Sequence, residues 1–266
     1  YMRTYRGAPF RINDYLSRFE NSAKGMKLRL PLSRKEIASV INTLLKKNNI
    51  RPSPKDERSN SYPATLRAGG RAGDFGIRLL LTGGYSLDSY LPAAKPNLFI
   101  LIEELPEYPA GWSEKGIKLM VHEHGREMPH VKTINYLTAI HLADVRRKHK
   151  AQDTLYCYNG KILETTRNNF FLFHGDVLVT SKNSILQGIT RKVIVNIADK
   201  KFRVEVRDVL KEELNCCTES FITGTTRGIT PVVQVDTIKI GNGKVGKNTK
   251  ELIKMFNEVI NQECKP

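Results

Sequence analysis

Two successive β hairpins in the middle of the chain limit the folds that this sequence can adopt. The pairs Asn159-Gly160 and Gly175-Asp176 each separate two short runs of strand-forming apolar residues. Such pairs adopt the positive backbone dihedral angles of tight turns, so they predict antiparallel strand pairs. Apolar residues at helical spacing lie on either side, over residues 135–149 and 190–200. The sequence therefore predicts a mixed α and β fold.

The other elements follow from capping signals, periodicity and strand composition. Ser33 followed by Glu36 is a capping-box pattern, which predicts that a helix begins there. Strands are expected where β-branched and long apolar residues form short runs between turn residues. The predicted helices cover residues 13–26, 33–48, 135–149, 190–200 and 249–261, and the predicted strands cover 75–82, 97–104, 117–123, 202–209, 220–223 and 231–240.

A proline-rich segment divides the chain into two predicted domains. Residues 105–112 read Leu-Pro-Glu-Tyr-Pro-Ala-Gly-Trp, and two prolines with a glycine in so short a run are typical of a linker. We expect a smaller α/β domain over residues 1–104, a linker over 105–113 and a larger domain over 114–266. Residues 51–74 are rich in Pro, Ser, Gly and Arg, which predicts a long exposed loop in the first domain.

The composition restricts the partners and the compartment. Forty-three Lys and Arg residues against 27 Asp and Glu give a formal net charge of +16, which is compatible with a protein that binds nucleic acid or another anion. The basic residues are scattered without a zinc-finger spacing or an aromatic RNA-binding motif, so we expect no nucleic-acid partner. No apolar run approaches the roughly 18–20 residues of a membrane span. The four cysteines include no C-x-x-C pair, which favours a reducing, cytoplasmic location.

Two local motifs admit a functional interpretation that their context does not support. The run from Gly241 to Gly246, followed by Lys247, matches dinucleotide-binding and phosphate-loop patterns. No further strand follows the next predicted helix, and Asn248 replaces the hydroxyl residue of a phosphate loop, so a structural turn is favoured over nucleotide hydrolysis. His122 and His124 share one face of a predicted strand, but there is no H-E-x-x-H motif, so no metal site is predicted.

Four segments of the second half carry chemically reactive or anion-binding residues. Lys132 precedes a predicted helix, Glu164 ends a hairpin strand, Gly188-Ile189-Thr190-Arg191 opens a helix, and Thr223-Gly224-Thr225-Thr226 ends a strand. In this order the segments resemble the class IV aminotransferases, the fold-type IV enzymes that use pyridoxal 5′-phosphate (PLP). The resemblance covers nearly the whole chain, and we expect the sequence to begin after the opening strands of that family.

The resemblance implies both a fold and a set of site residues. The implied fold is α+β, with a smaller N-terminal α/β domain and a larger C-terminal pseudo-barrel domain. Lys132 is implied as the catalytic lysine that binds PLP as a Schiff base, and Glu164 as the carboxylate beside the ring nitrogen. A released lysine amine moves protons between carbons, and the carboxylate keeps the ring nitrogen protonated. The other implied cofactor residues are Arg18, Tyr136, Gly188, Ile189, Thr190 and Thr225, and the implied substrate residues are Arg78 and Thr226.

The implied reaction transfers the amino group of an L-amino acid, with branched-chain amino acids among the candidates, to a 2-oxo acid. The arginine of the D-amino-acid enzymes is absent at Thr82-Gly83-Gly84, which favours L-substrates. The resemblance also implies a homodimer. Two alternatives stay open: an aminodeoxychorismate lyase, which eliminates pyruvate with the same lysine and cofactor, and a basic protein that binds nucleic acid or another anion.

Overall fold

The computed structural model describes residues 1–48, 74–86, 88–92 and 95–264. The chain divides into two compact units, one made of Tyr1–Tyr108 with Val259–Pro266 and the other of Pro109–Glu258. The predicted domains, residues 1–104 and 114–266 with a linker over 105–113, stay a prediction. The predicted polar loop over 51–74 lies, apart from Asp74, outside the described residues. Within the described part of the chain, no helix is long and apolar enough to cross a membrane.

The first unit contains a four-stranded antiparallel sheet and two helices. Its elements are β1 (Met2–Tyr5), β2 (Ala8–Pro9), α1 (Ile12–Gly25), α2 (Arg34–Lys47), β3 (Phe75–Thr82) and β4 (Asn97–Glu104). The strand order is β2-β1-β3-β4. The two predicted helices and two predicted strands of this region are confirmed. The hairpin of β1 and β2 was not predicted, and it turns on two residues with positive φ, Arg6 at 53° and Gly7 at 80°.

Local capping and an apolar stripe explain why helix α2 forms. Ser33 Oγ accepts a hydrogen bond from the backbone N–H of Glu36, and the Glu36 carboxylate accepts one from the backbone N–H of Ser33. This reciprocal pair satisfies two N–H groups that the helix leaves without internal partners. Ile37, Ile41 and Leu45 are buried at helical spacing. The capping box predicted from the sequence is therefore present.

The second unit is built on a closed barrel. Its elements are α3 (Gly111–Lys115), β5 (Ile117–Glu123), α4 (Leu137–His141), α5 (Ala143–Lys148), β6 (Asp153–Tyr158), β7 (Lys161–Thr165), β8 (Asn169–His174), β9 (Val177–Ser181), α6 (Ile189–Ala198), β10 (Arg203–Arg207), β11 (Val209–Leu210), a 3₁₀ helix (Lys211–Asn215), β12 (Glu219–Gly224), β13 (Gly228–Val235), β14 (Ile238–Lys239) and the greater part of α7 (Lys247–Glu263), whose residues from Val259 belong to the first unit. Strands β8, β12, β13, β5, β6 and β7 pair in this order. Glu164 of β7 pairs with Asn169 of β8, which closes the ring. The predicted α+β class with a barrel in the larger part is confirmed.

The two faces of the barrel strands carry different side chains. Phe170, Leu172 and Ile222 belong to the buried apolar cluster enclosed by the strands. Successive side chains of a strand point to opposite faces, and Phe171 of β8 stacks on Phe221 of β12 on the other face, with ring centroids 4.8 Å apart. Asn169 lies two residues before Phe171 on β8, and Thr223 lies two residues after Phe221 on β12. Asn169 and Thr223 are directly opposite each other in the β8–β12 register. Their side chains therefore share this second face.

Three predicted elements are interrupted in the structure. The helix predicted over 135–149 is two short helices, α4 and α5, separated at the buried Leu142. The strand predicted over 202–209 changes partner at Asp208, because β10 pairs with β9 whereas β11 pairs with β7. The strand predicted over 231–240 folds back at Asp236, whose φ is 51°. Contacts in the folded chain decide where these elements are interrupted. The local sequence pattern does not reveal those contacts.

A carboxylate closes the glycine-rich turn that precedes α7. Glu219 Oε1 accepts a hydrogen bond from the backbone N–H of Asn248 at 3.0 Å, and Oε2 accepts one from that of Thr249 at 2.7 Å. A Cβ on Gly246 would lie 2.0 Å from Glu219 Cδ, so glycine is required there. The negative charge sits where a nucleotide phosphate would bind at the positive end of the helix. The turn is structural, and the nucleotide hypothesis has no support from this geometry.

Candidate active site

Lys132 lies in the segment that connects β5 to α4. Its Nζ donates a hydrogen bond to the hydroxyl of Tyr136 at 3.3 Å. The preceding residue, Val131, is buried and its backbone N–H donates to the Met128 carbonyl at 2.9 Å. The lysine therefore extends from an anchored turn, and its amine has a phenol beside it. Such an amine can act as a nucleophile and can transfer protons.

Glu164 is a buried carboxylate at the end of β7. It is 4% exposed. Its Oε1 accepts a hydrogen bond from Arg126 at 2.9 Å, and its Oε2 accepts one from the backbone N–H of Leu186 at 3.1 Å and one from Asn169 at 3.4 Å. Burial raises the pKa of Glu164 to about 7, while the charges of Arg126 and Lys132 and the Leu186 hydrogen bond act in the opposite direction. Near neutral pH this carboxyl can therefore exist in either charge state.

Arg126 is the residue of this cluster that the sequence interpretation missed. Its second terminal nitrogen, Nη2, donates to the carbonyl oxygen of Val131 at 2.8 Å. The guanidinium thus links Glu164 to the residue just before Lys132. A single arginine in an irregular loop carries no spacing signal, so only the three-dimensional structure reveals this contact.

Gly188 forms the start of helix α6 and leaves its N-terminus open. Gly188 is the N-cap residue, and no side chain of the described residues caps the helix. A Cβ at this position would lie 2.2 Å from Asn169 Oδ1. The first backbone N–H groups of a helix lack internal partners and attract anions. Ile189 and Thr190, also predicted as phosphate ligands, are the first two residues of the helix.

The turn at Gly224 packs against Asn168, the residue before Asn169. A Cβ on Gly224 would lie 2.2 Å from Asn168 Oδ1, and Asn168 Nδ2 donates to the buried Asp153 carboxylate at 2.9 Å. Gly188 contacts Asn169 and Gly224 contacts Asn168, and these two asparagines are adjacent in the chain. The turn with Thr225 and Thr226 therefore lies close to the N-terminus of α6, at the same end of the barrel as Glu164.

The two predicted arginines belong to the first unit. Arg18 lies on α1, with its guanidinium carbon 5.1 Å from the centroid of the Tyr15 ring. Arg78 lies on β3 and forms a bidentate pair with Glu103, with N···O distances of 2.9 and 2.7 Å. The structure thus brings together Lys132, Tyr136, Glu164 and the segments at Gly188 and Gly224 in the second unit. The roles of Arg18 and Arg78 stay predictions.

Comparison with known proteins identifies the family. The family model described as amino-transferase class IV matches residues 1–235. The chain belongs to the class IV aminotransferases. The branched-chain-amino-acid aminotransferase of Escherichia coli K12 is 30% identical over 258 residues, which are 93% of this chain and 77% of that protein. The D-alanine aminotransferase of Listeria monocytogenes strain 10403S is 26% identical over 266 residues, 99% of this chain and 86% of that protein.

The fold agrees with a solved structure of this family. The crystal structure of the Escherichia coli branched-chain amino acid aminotransferase matches with a TM-score of 0.81 and 27% sequence identity, covering 98% of this chain and 84% of that chain. The predictions of the family, of an enzyme and of PLP as its cofactor are confirmed, since class IV aminotransferases use PLP.

The residues of this class IV aminotransferase fit a pyridine ring that carries a phosphate. Glu164 supplies an ionisable acceptor for a ring nitrogen, and the open N-terminus of α6 supplies N–H donors for a phosphate. Thr223 Oγ1 is buried and has no hydrogen-bond partner among the described residues. Because Thr223 lies opposite Asn169, which contacts Gly188, this hydroxyl lies near the same helix start. A buried hydroxyl without a partner is costly, and an added phosphate oxygen would satisfy it.

Proposed function

We propose that this aminotransferase transfers the amino group of an L-amino acid with a branched aliphatic side chain to a 2-oxo acid, with Lys132 as its catalytic residue. The observation that carries the proposal is the position of the Lys132 amine. It lies 3.3 Å from the Tyr136 hydroxyl and interacts electrostatically with the buried Glu164. The similarity to a branched-chain-amino-acid aminotransferase supports the substrate class. The D-alanine aminotransferase relative is less similar, at 26% identity.

The proposed catalytic steps depend on Lys132 and Tyr136. PLP, when bound, supplies an aldehyde that joins to amines and a ring that accepts negative charge. The Nζ atom of Lys132 would bond to the aldehyde carbon at rest, and the substrate amine would replace it there. The freed Nζ would then carry the proton from the substrate Cα to that carbon. The Tyr136 hydroxyl would orient this amine and would stabilise the hydroxyl oxygen on the PLP ring by hydrogen bonding.

The remaining proposed cofactor residues hold and polarise the ring. Glu164 would accept a hydrogen bond from the ring nitrogen and keep it protonated. The backbone N–H groups of Gly188, Ile189 and Thr190, together with Thr225, would bind the phosphate, and Arg18 would neutralise its charge. Together these groups would hold the ring and its phosphate in place for the Lys132 amine.

The proposed substrate contacts are Arg78 and the backbone N–H of Thr226. Arg78 already forms a bidentate pair with Glu103, so binding of the substrate carboxylate would require Arg78 to exchange one carboxylate for another. About half of the Arg78 side chain is exposed, which makes such an exchange inexpensive because exposed ion pairs contribute only about 0–1 kcal/mol.

A panel of amino donors tests the proposed function. The purified protein, loaded with PLP, is expected to convert L-leucine, L-isoleucine and L-valine with 2-oxoglutarate as acceptor, and to convert aromatic donors and D-alanine more slowly. Release of pyruvate from aminodeoxychorismate without any 2-oxo acid would instead establish the lyase alternative. An absence of PLP-dependent turnover with every donor would refute the proposed function.

We also propose a homodimer in a reducing, cytoplasmic compartment, without a nucleic-acid or membrane partner. Large apolar side chains follow Lys132 on the surface of this chain: Ile134 is 67%, Leu137 74% and Ile140 70% exposed. Such a cluster is typical of an interface. The cysteines are all free thiols, which suits a reducing compartment. Light scattering that gives twice the chain mass would support the dimer, and the mass of a single chain would refute it.

A further inference from the structure

We propose that Arg126 is the positioning residue that favours the ionised form of the Glu164 carboxylate and fixes it relative to the Lys132 segment. This inference rests on the proposed function, because it concerns the carboxylate that would face the ring nitrogen. It assigns a role to a residue that no sequence motif marks.

The geometry of the guanidinium carries the proposal. Arg126 Nη1 donates to Glu164 Oε1 at 2.9 Å, and Nη2 donates to the carbonyl oxygen of Val131 at 2.8 Å. The N–H groups of a guanidinium form a rigid planar fork, so the two contacts fix each other's direction. The end of β7 and the residue before Lys132 are thus held by one side chain. Any tilt of Arg126 would move the carboxylate and the lysine segment together.

The surroundings of Glu164 give this ion pair its importance. The exposed fractions of the Arg126 and Glu164 side chains are 20% and 6%, so water screens the pair weakly. Burial is the largest influence on Glu164 and raises its pKa, and the charge of Arg126 is the largest influence that lowers it. Without Arg126, burial would favour a neutral carboxyl, which is a weaker acceptor for a protonated ring nitrogen.

Lys132, Arg191 and Tyr156 are charged or titratable groups that also act on Glu164, and each of them is bonded elsewhere. Lys132 donates to Tyr136. Arg191 donates to the Ser181 carbonyl at 2.8 Å and to Gln187 at 2.8 Å. Tyr156, whose pKa burial raises, makes a side-chain hydrogen bond with Thr166. Arg126, in contrast, is bonded directly to the Glu164 carboxylate.

The test compares Arg126→Met, which removes the charge and both donors, with Arg126→Lys, which restores the charge. Arg146→Met is the matched control, because Arg146 donates to two backbone carbonyls of the same unit, those of Ala151 and Gln152. The protonation of Glu164 is followed in the PLP-free proteins by infrared difference spectroscopy against the corresponding Glu164→Gln variants. The acid limb of kcat/KM is measured in the PLP-loaded proteins.

In Arg126→Met, the Glu164 titration and the acid limb are expected to move upward together by about 1–3 pH units, the usual effect of losing a paired guanidinium. Arg126→Lys is expected to recover most of this shift, and Arg146→Met is expected to show none. An unchanged titration in Arg126→Met, or an equal shift in the control, would overturn the proposal. If Arg126→Met does not fold, Arg126→Gln replaces it with the same expectations.

The two readouts separate this inference from the proposed function. If the wild-type protein shows no PLP-dependent turnover, the proposed function fails, yet the PLP-free titration still decides whether Arg126 controls Glu164. If the wild-type protein turns over and the titration of Arg126→Met is unchanged, only the role of Arg126 is refuted.

Discussion

Substitution of Gly188 by alanine tests the contact that shapes the start of helix α6. The φ of Gly188 is −67°, so the backbone accepts alanine and any effect comes from the added methyl group. That Cβ would lie 2.2 Å from Asn169 Oδ1, whereas ordinary contact begins at 3.4 Å. The difference, 3.4 − 2.2, requires a displacement of about 1.2 Å. The Asn169 amide cannot move so far and keep its 2.8 Å hydrogen bond to Leu186.

The expected cost has two parts. Overpacking by one methyl group costs about 1–3 kcal/mol, and an unsatisfied buried amide costs about 1–3 kcal/mol. We expect Gly188→Ala to lower the free energy of unfolding of the PLP-free protein by about 2–6 kcal/mol, the sum of the two parts. Because the same displacement tilts the N–H groups proposed to bind phosphate, we also expect PLP affinity to fall at least about tenfold, the equivalent of 1.4 kcal/mol.

Urea unfolding followed by circular dichroism, together with spectrophotometric titration by PLP, measures both effects. Gly111→Ala is the matched control, since the nearest atom to its Cβ is Lys115 Cδ at 3.8 Å, and it is expected to change stability by less than about 0.5 kcal/mol. In the double variant Gly188→Ala/Asn169→Ser, the shorter side chain should restore part of the lost stability. Equal unfolding midpoints for Gly188→Ala and Gly111→Ala would refute the reasoning.

Three further predictions follow from the structure. Burial raises the pKa of Glu164 from its ordinary range to about 7, so the stability of the PLP-free wild type should fall as pH rises from about 5 to 8, whereas that of Glu164→Gln should not; urea midpoints that show the same slope for both would contradict this. Glu219→Gln should lose about 1–2 kcal/mol of stability, because the charge at the N-terminus of α7 is removed, and calorimetry should show a lower Tm. Tyr136→Phe should lower kcat/KM about 10- to 100-fold, the effect of losing a hydrogen bond to a charged group, and a wild-type value would exclude its proposed role at Lys132.

The sequence predicts well those elements that local chemistry determines. The Ser33 capping box and the Asn159-Gly160 hairpin each depend on residues within one turn, and both are present in the structure. The strand over 75–82 is also found with the predicted bounds. The first hairpin escapes prediction because Met2–Tyr5 and Ala8–Pro9 are too short to show a period.

Contacts between distant residues explain what the sequence does not predict. Arg126, just after β5, meets Glu164 at the end of β7 because β5 and β7 both pair with β6. Arg78 meets Glu103 across the β3–β4 pair, so the structure shows a carboxylate on the arginine that the family resemblance assigns to substrate. The break at Leu142 likewise depends on packing against Met120 and Ala151. In each case one partner is far away in sequence, and no periodicity marks the pair.

The most direct test of the central claim is to locate PLP on the chain. Borohydride reduction of the PLP-loaded protein makes the bond between a lysine amine and the cofactor permanent, and peptide mass spectrometry then identifies the modified residue. The structure predicts one modified lysine, Lys132, and no modification there in Lys132→Ala. Modification of a different lysine, or an unmodified Lys132 in a protein that has bound PLP, would contradict the account.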